Sequence, residues 1–104
     1  MPLGVTNIGG GSMTMLLTRM HEFATREGVE IEVTRNGKAL KNLRRNGVLN
    51  PYPYKKKLPD AKTVSQLRER FESANPGYSC NVLKGDGKIA VGQTLLGTVR
   101  ATYE

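Results

Sequence analysis

The residues best suited to chemistry lie in one segment, from residue 35 to residue 57. It holds eight of the chain's 16 Lys and Arg residues and none of its nine Asp and Glu residues, so the net charge of +7 is local. A field of this kind favours a polyanion, with nucleic acid as the first candidate. The eight basic residues are Arg35, Lys38, Lys41, Arg44, Arg45, Lys55, Lys56 and Lys57.

Two tyrosines add a second kind of contact to this segment. Tyr52 and Tyr54 alternate with prolines, directly before the three lysines. Lys and Arg neutralise phosphates, and extended aromatic side chains stack on unpaired bases. The sequence therefore predicts a small, basic, non-catalytic nucleic-acid-binding accessory protein, in which the eight basic residues contact phosphates and the two tyrosines stack.

Other functions remain open at this stage. The same positive field would attract an acidic protein, and an exposed sheet edge or the apolar arm at residues 1–8 could form a homodimer. A third alternative is a small ribonuclease of toxin type, whose basic residues would stabilise the phosphorane. A solvated loop that only keeps the protein soluble is the simplest explanation of such a charge run.

The remaining candidate groups predict neither a cofactor nor a metal. Gly9–Ser12 and Gly85–Lys88 lack the spacing of a P-loop, and we expect a flexible or capping loop at the first and a hairpin turn at the second. His21 and Cys80 are each the only residue of their kind. Cys80 shares a strand face with apolar residues, which predicts a buried, inert thiol. His21 borders an apolar helix stripe; a Cys–His nucleophilic pair stays open, but no third group suggests itself.

Length and composition limit the number of domains, the disulfides and the cellular location that we expect. A chain of 104 residues is the size of one domain, and a single cysteine excludes an intramolecular disulfide. No apolar run approaches about 20 residues, and because no charged stretch followed by an apolar one opens the sequence, we expect no secretory signal. We therefore expect a cytoplasmic protein with no membrane span.

The first half of the chain predicts a helix followed by a strand meander. Apolar residues from Met13 to Ala24 recur at helical spacing, with Ser12 as N-cap and Gly28 as the residue after the helix. Residues 29–34 alternate as a half-buried strand, and two Asn-Gly pairs predict hairpin turns that carry the meander to about Leu49. The basic segment thus divides into a hairpin portion, 35–45, and a proline-framed loop, 52–57.

The second half predicts another helix and further strands. Residues 64–74 have a helical stripe, which Thr63 and Gln66 precede as a capping box. Strands are expected at 78–83, at 89–91 and from Thr94 to Tyr103, where apolar and polar residues alternate. The fold class is therefore α+β: two helices packed in two layers on a mainly antiparallel sheet of four to five strands, with residues 1–11 as an arm and 12–104 as the domain.

The order of elements after residue 28 resembles the ubiquitin-like β-grasp order of hairpin, helix, strand, short strand and last strand. The resemblance depends on this order and on turns such as Gly85-Asp86-Gly87. It implies a β-grasp fold for that part of the chain.

Overall fold

The computed structural model describes residues 14–103 and shows an α+β fold. In this part of the chain, three helices accompany one three-stranded antiparallel sheet with strand order β2-β1-β3. The predicted arm at 1–11, the glycine loop and the Ser12 cap lie outside the described residues. The elements are α1 (Leu16–Glu27), β1 (Glu30–Arg35), β2 (Lys38–Ala39), α2 (Val64–Ala74), β3 (Ser79–Leu83) and α3 (Leu96–Ala101).

Helix α1 ends as its sequence predicts but begins in an unexpected way. Gly28 follows it with a φ of 75°, and the Gly28 amide donates to the carbonyl of Ala24. At the other end no side chain caps the helix. The amides of Leu16 and Leu17 donate instead to the carbonyls of Arg45 and Leu43, at 2.8 and 3.0 Å. These donors would otherwise lack a partner within the helix.

The β1–β2 hairpin confirms the first predicted Asn-Gly turn. Asn36 and Gly37 have φ values of 54° and 78°, the two positive values that a type I′ turn needs. In β1 the side chains of Ile31 and Val33 are buried, while the strand's first and last residues are exposed. On its other side β1 pairs with β3, with Val33 opposite Cys80.

The second Asn-Gly pair does not continue the meander. Asn46 forms an isolated bridge with Met15, and the Gly47 amide donates to the carbonyl of Thr14. The predicted strand up to Leu49 is therefore wrong. The backbone of Asn46 and Gly47 bonds instead to the residues just before α1, a helix that lacks a capping side chain.

Helix α2 matches its prediction at both ends. Thr63 and Gln66 form the capping box: the Thr63 amide donates to Gln66 Oε1 at 2.9 Å, and the Gln66 amide donates to Thr63 Oγ1 at 3.3 Å. The helix ends at Ala74 before Asn75, Pro76 and Gly77. Its buried residues Val64, Leu67 and Phe71 are three from the predicted stripe.

The predicted last strand, Thr94 to Tyr103, is wrong. Leu96–Ala101 is helix α3, whose buried residues Leu96 and Val99 are three apart, a helical spacing. The amides of Leu96 and Gly97 donate to the carbonyls of Lys62 and Asp60, which favours a helix start at this point. The alternating pattern predicted a strand wrongly because these tertiary contacts override a weak local preference.

Residues 89–91 also fall short of a strand. Ile89 makes one isolated bridge to Leu83, and the Ala90 amide donates to the carbonyl of Val82. Residues 14–103 therefore hold three strands rather than four to five. The last strand of the β-grasp order is not found among them.

The core lies where α1, α2, α3 and the sheet meet. Helix α1 packs on β1, and α2 packs on β3. Phe23 of α1 meets Phe71 of α2 edge to face, with ring centroids 5.4 Å apart. Within residues 14–103 the structure has no helix that combines the length and the apolar character needed to cross a bilayer. The largest buried apolar side chains are Leu16, Phe23, Leu67, Phe71 and Leu96.

The capping box gives a direct test of the α2 assignment. We expect Thr63→Ala to lower the free energy of unfolding by about 1 kcal/mol, because the Gln66 amide loses its acceptor. Thr63→Ser keeps the hydroxyl and is the matched control. Urea denaturation followed by circular dichroism measures both variants, and equal losses would contradict the cap.

Candidate nucleic-acid interface

All eight basic side chains of the 35–57 segment are exposed. The ion pairs within residues 14–103 involve Arg19, Arg70 and Arg100, and none of the eight takes part in one. Their charge is therefore not neutralised by acidic groups of the described structure. Arg35 alone makes an aromatic contact, with its guanidinium 5.5 Å from the ring centroid of Tyr78.

Five of these residues form a hairpin group near the start of α1. Arg35 and Lys38 are register partners across the β1–β2 hairpin. Because β1 follows α1 after a two-residue connection and packs on it, the strand runs back toward the helix start. Residues 43–45 then bond to that helix start through their carbonyls. The hairpin group comprises Arg35, Lys38, Lys41, Arg44 and Arg45.

The other three, Lys55, Lys56 and Lys57, form a lysine group at the opposite end of α1. The carbonyl of Lys56 accepts from Arg70 Nη1 at 2.7 Å, and the Leu58 amide donates to Glu27 Oε1 at 2.9 Å. Glu27 is the last residue of α1. At 1.5 Å per residue, the helix separates the attachment points of the two groups by about 16 Å.

Glu27 is the residue that holds the lysine group in place. Its side chain is 0% exposed. Besides the Leu58 amide, the carboxylate accepts from the Tyr52 hydroxyl at 2.5 Å and from Arg70 Nη1 at 2.9 Å, and Arg100 Nη2 lies 3.5 Å away. Three hydrogen-bond donors and two guanidinium groups thus offset the cost of removing this carboxylate from water, which is the condition for burying a charge.

Glu27 is not among the residues predicted from the sequence to be functional. A glutamate in the last turn of an amphipathic helix is ordinarily solvated. One signal was available: Glu27 continues the spacing of Met20 and Phe23 and so lies on the apolar stripe of α1. A charged residue on a buried stripe implies a buried partner, but nothing in the sequence shows which arginine supplies it.

The two tyrosines have different surroundings. The Tyr52 ring meets Phe23 edge to face at 4.8 Å, and its hydroxyl donates to Glu27. Burial, with the Glu27 hydrogen bond, raises the pKa of Tyr52 well above 10.0. Tyr54 lies further out, 5.2 Å from the Tyr52 ring, with the Arg70 guanidinium 4.3 Å from its own centroid. Tyr52 thus contributes to the structure of the loop, and Tyr54 is the better placed of the two for a ligand.

Cys80 and His21 lie in contrasting surroundings. Cys80 is 0% exposed on β3, which confirms its predicted burial, whereas His21 is exposed on α1. Burial raises the pKa of the Cys80 thiol to about 12. A thiol that is both buried and protonated is a poor nucleophile.

Comparisons with protein-family models, with curated proteins and with solved structures give no match for this chain.

The buried carboxylate gives a stability test. We expect Glu27→Gln to lower the free energy of unfolding by about 3 kcal/mol or more, because it leaves Arg70 without its counter-charge and Arg100 with Asp60 alone. The matched control is Glu22→Gln on the same helix, whose exposed pair with Arg19 contributes about 1 kcal/mol or less.

Urea denaturation measures the Glu27 and Glu22 variants, and amide exchange at Leu58 reports on the loop. Faster exchange at Leu58 in Glu27→Gln alone is the expected result. Equal losses of stability in the two variants would show that Glu27 holds nothing in place.

Cys80 predicts a pH dependence of stability. The unfolded thiol loses its proton above about pH 9, while the folded thiol keeps it to about pH 12. The stability contribution of the protonated thiol is present below pH 9 and is lost as the pH rises toward 12, by about 1.4 kcal/mol per pH unit. Cys80→Ala should remove this contribution, so the urea midpoint should fall less steeply between these pH values in the variant, which keeps the contribution from the raised pKa of Tyr52. Parallel profiles for the two proteins would contradict the assignment.

Proposed function

We propose that this chain is a non-catalytic nucleic-acid-binding protein that contacts phosphates through its 35–57 segment. The observation that carries the proposal is a set of eight exposed cations without ion pairs in the described structure, attached at the two ends of one helix. Such a surface is the electrostatic footprint of a polyanion-binding protein.

The separation of the two groups favours a polymer over a small anion. The hairpin group and the lysine group attach about 16 Å apart along α1. One strand of B-form DNA carries a phosphate about every 3.4 Å along its axis, so this distance matches about five phosphate steps. A mononucleotide could contact only one group, whereas a strand can contact both.

The attachments also favour a defined footprint. Near each group the chain is held by backbone atoms: the carbonyls of Leu43, Arg45 and Lys56, and the amide of Leu58. The basic side chains are left exposed. Fixed backbones with solvated side chains bring charge to a phosphate without first breaking an internal ion pair.

Salt dependence tests the proposal. If about six phosphates are neutralised, affinity for a labelled oligonucleotide should fall roughly a thousandfold between 50 and 200 mM salt. Lys56→Gln with Lys57→Gln, and separately Arg44→Gln with Arg45→Gln, should each reduce the slope of log affinity against log salt by about 1.8 on duplex. Fluorescence anisotropy measures both quantities.

The matched control is Lys62→Gln with Lys88→Gln, which removes the same charge from exposed positions outside the segment. It should leave the slope unchanged. Absence of binding at about 50 mM salt, where phosphate contacts are strong, would contradict the proposal. A control that weakens binding as much as either pair would show that net charge, and not the segment, attracts the ligand.

A further inference from the structure

We propose that the ligand is single-stranded nucleic acid and that Tyr54 provides the surface on which one unpaired base stacks, beside the lysine group. This inference rests on the proposed function and specifies its ligand. It is carried by the position of one aromatic ring next to the exposed lysine group.

The Tyr54 ring is supported from within the protein. The Arg70 guanidinium lies 4.3 Å from its centroid, and the Tyr52 ring approaches at 5.2 Å with an interplanar angle of 53°. Among the described residues, no further aromatic ring or guanidinium contacts it. Tyr54 as a whole is half-buried and so remains partly exposed to solvent.

The supporting groups are themselves fixed. Arg70 Nη1 donates to Glu27 Oε2 at 2.9 Å and to the Lys56 carbonyl at 2.7 Å. Tyr52 is held by Phe23 and by Glu27. Pro53, between the two tyrosines, restricts the backbone further. A base that stacks on Tyr54 therefore meets an ordered ring, and the entropy cost of ordering it has already been met in folding.

This arrangement distinguishes a single strand from a duplex. In a duplex the bases are stacked and paired inside, and a ring on a surface loop reaches only the backbone. An unpaired base offers a π face, and its stacking on an aromatic side chain contributes about 1–3 kcal/mol. Lys55, Lys56 and Lys57 follow Tyr54 directly in the chain, where phosphates next to the stacked base would lie.

The test compares three ligands of equal length, about 12 nucleotides, which is within the range that single-strand-binding folds cover. They are a single strand, the matching duplex and an abasic strand that keeps the sugars and phosphates without bases. Deoxythymidine and uridine strands are both used, so that DNA and RNA are distinguished. Affinities are measured by fluorescence anisotropy at about 50 mM salt, where phosphate contacts are strong.

Two variants isolate the ring. Tyr54→Leu keeps an apolar side chain without a π face, and Tyr54→Phe keeps the π face without the hydroxyl. We expect Tyr54→Leu to weaken single-strand binding by about 5- to 150-fold and to leave duplex binding unchanged. Tyr54→Phe should bind as the native chain does. The native chain should bind the abasic strand no more tightly than Tyr54→Leu binds it.

The outcomes separate the two proposals. If no ligand binds, the proposed function itself fails. If the ligands bind but Tyr54→Leu has native affinity for the single strand, or loses affinity equally for single strand and duplex, the stacking proposal is overturned and the proposed function stands. Should Tyr54→Leu not fold, the native chain decides alone: equal affinity for abasic and base-bearing strands overturns the proposal.

Discussion

The buried carboxylate of Glu27 is the interaction on which the arrangement of this protein depends. It ends α1, and it is contacted by the 52–58 loop through Tyr52 and Leu58, by α2 through Arg70 and by α3 through Arg100. Removing a carboxylate from water costs several kcal/mol, which only well-placed donors and cations offset. The positions of the loop, α2 and α3 relative to α1 are therefore constrained together, because each supplies part of that compensation.

This constraint connects the interior to the proposed ligand surface. Arg70 takes part in both. Its guanidinium forms an ion pair with the buried Glu27 and also contacts the half-buried Tyr54 ring. The lysine group is attached through the same residue, by way of the Lys56 carbonyl. The carboxylates that form ion pairs in the described structure pair with arginines outside residues 35–57, and the basic side chains of that segment remain unpaired there.

Sequence reasoning succeeded where the determinants are local. The stripe of α1, the Asn36-Gly37 turn and the Thr63–Gln66 capping box each depend on residues a few positions apart. It failed for α3, because a six-residue helix has too few residues to separate helical from alternating patterns, and because its first amides are satisfied by residues 60 and 62. The division of the basic segment followed from its prolines. Its attachment at the two ends of α1 did not, because no local signal connects residue 27 to residues 52, 58, 70 and 100.

The way in which α1 and α3 begin has a consequence for folding. Neither helix has a capping side chain, and both depend on carbonyls from loops distant in sequence, 43–45 for α1 and 60–62 for α3. A helix whose first amides are capped by its own side chains is stabilised before the chain collapses, but the first amides of α1 and α3 find their acceptors only when the remote loop docks. Their formation is thereby coupled to non-local contacts, which raises contact order and slows the folding rate. The helical structure of α1 and α3 should therefore appear together with tertiary structure in kinetic experiments, whereas α2, which has its own capping box, is not under this constraint.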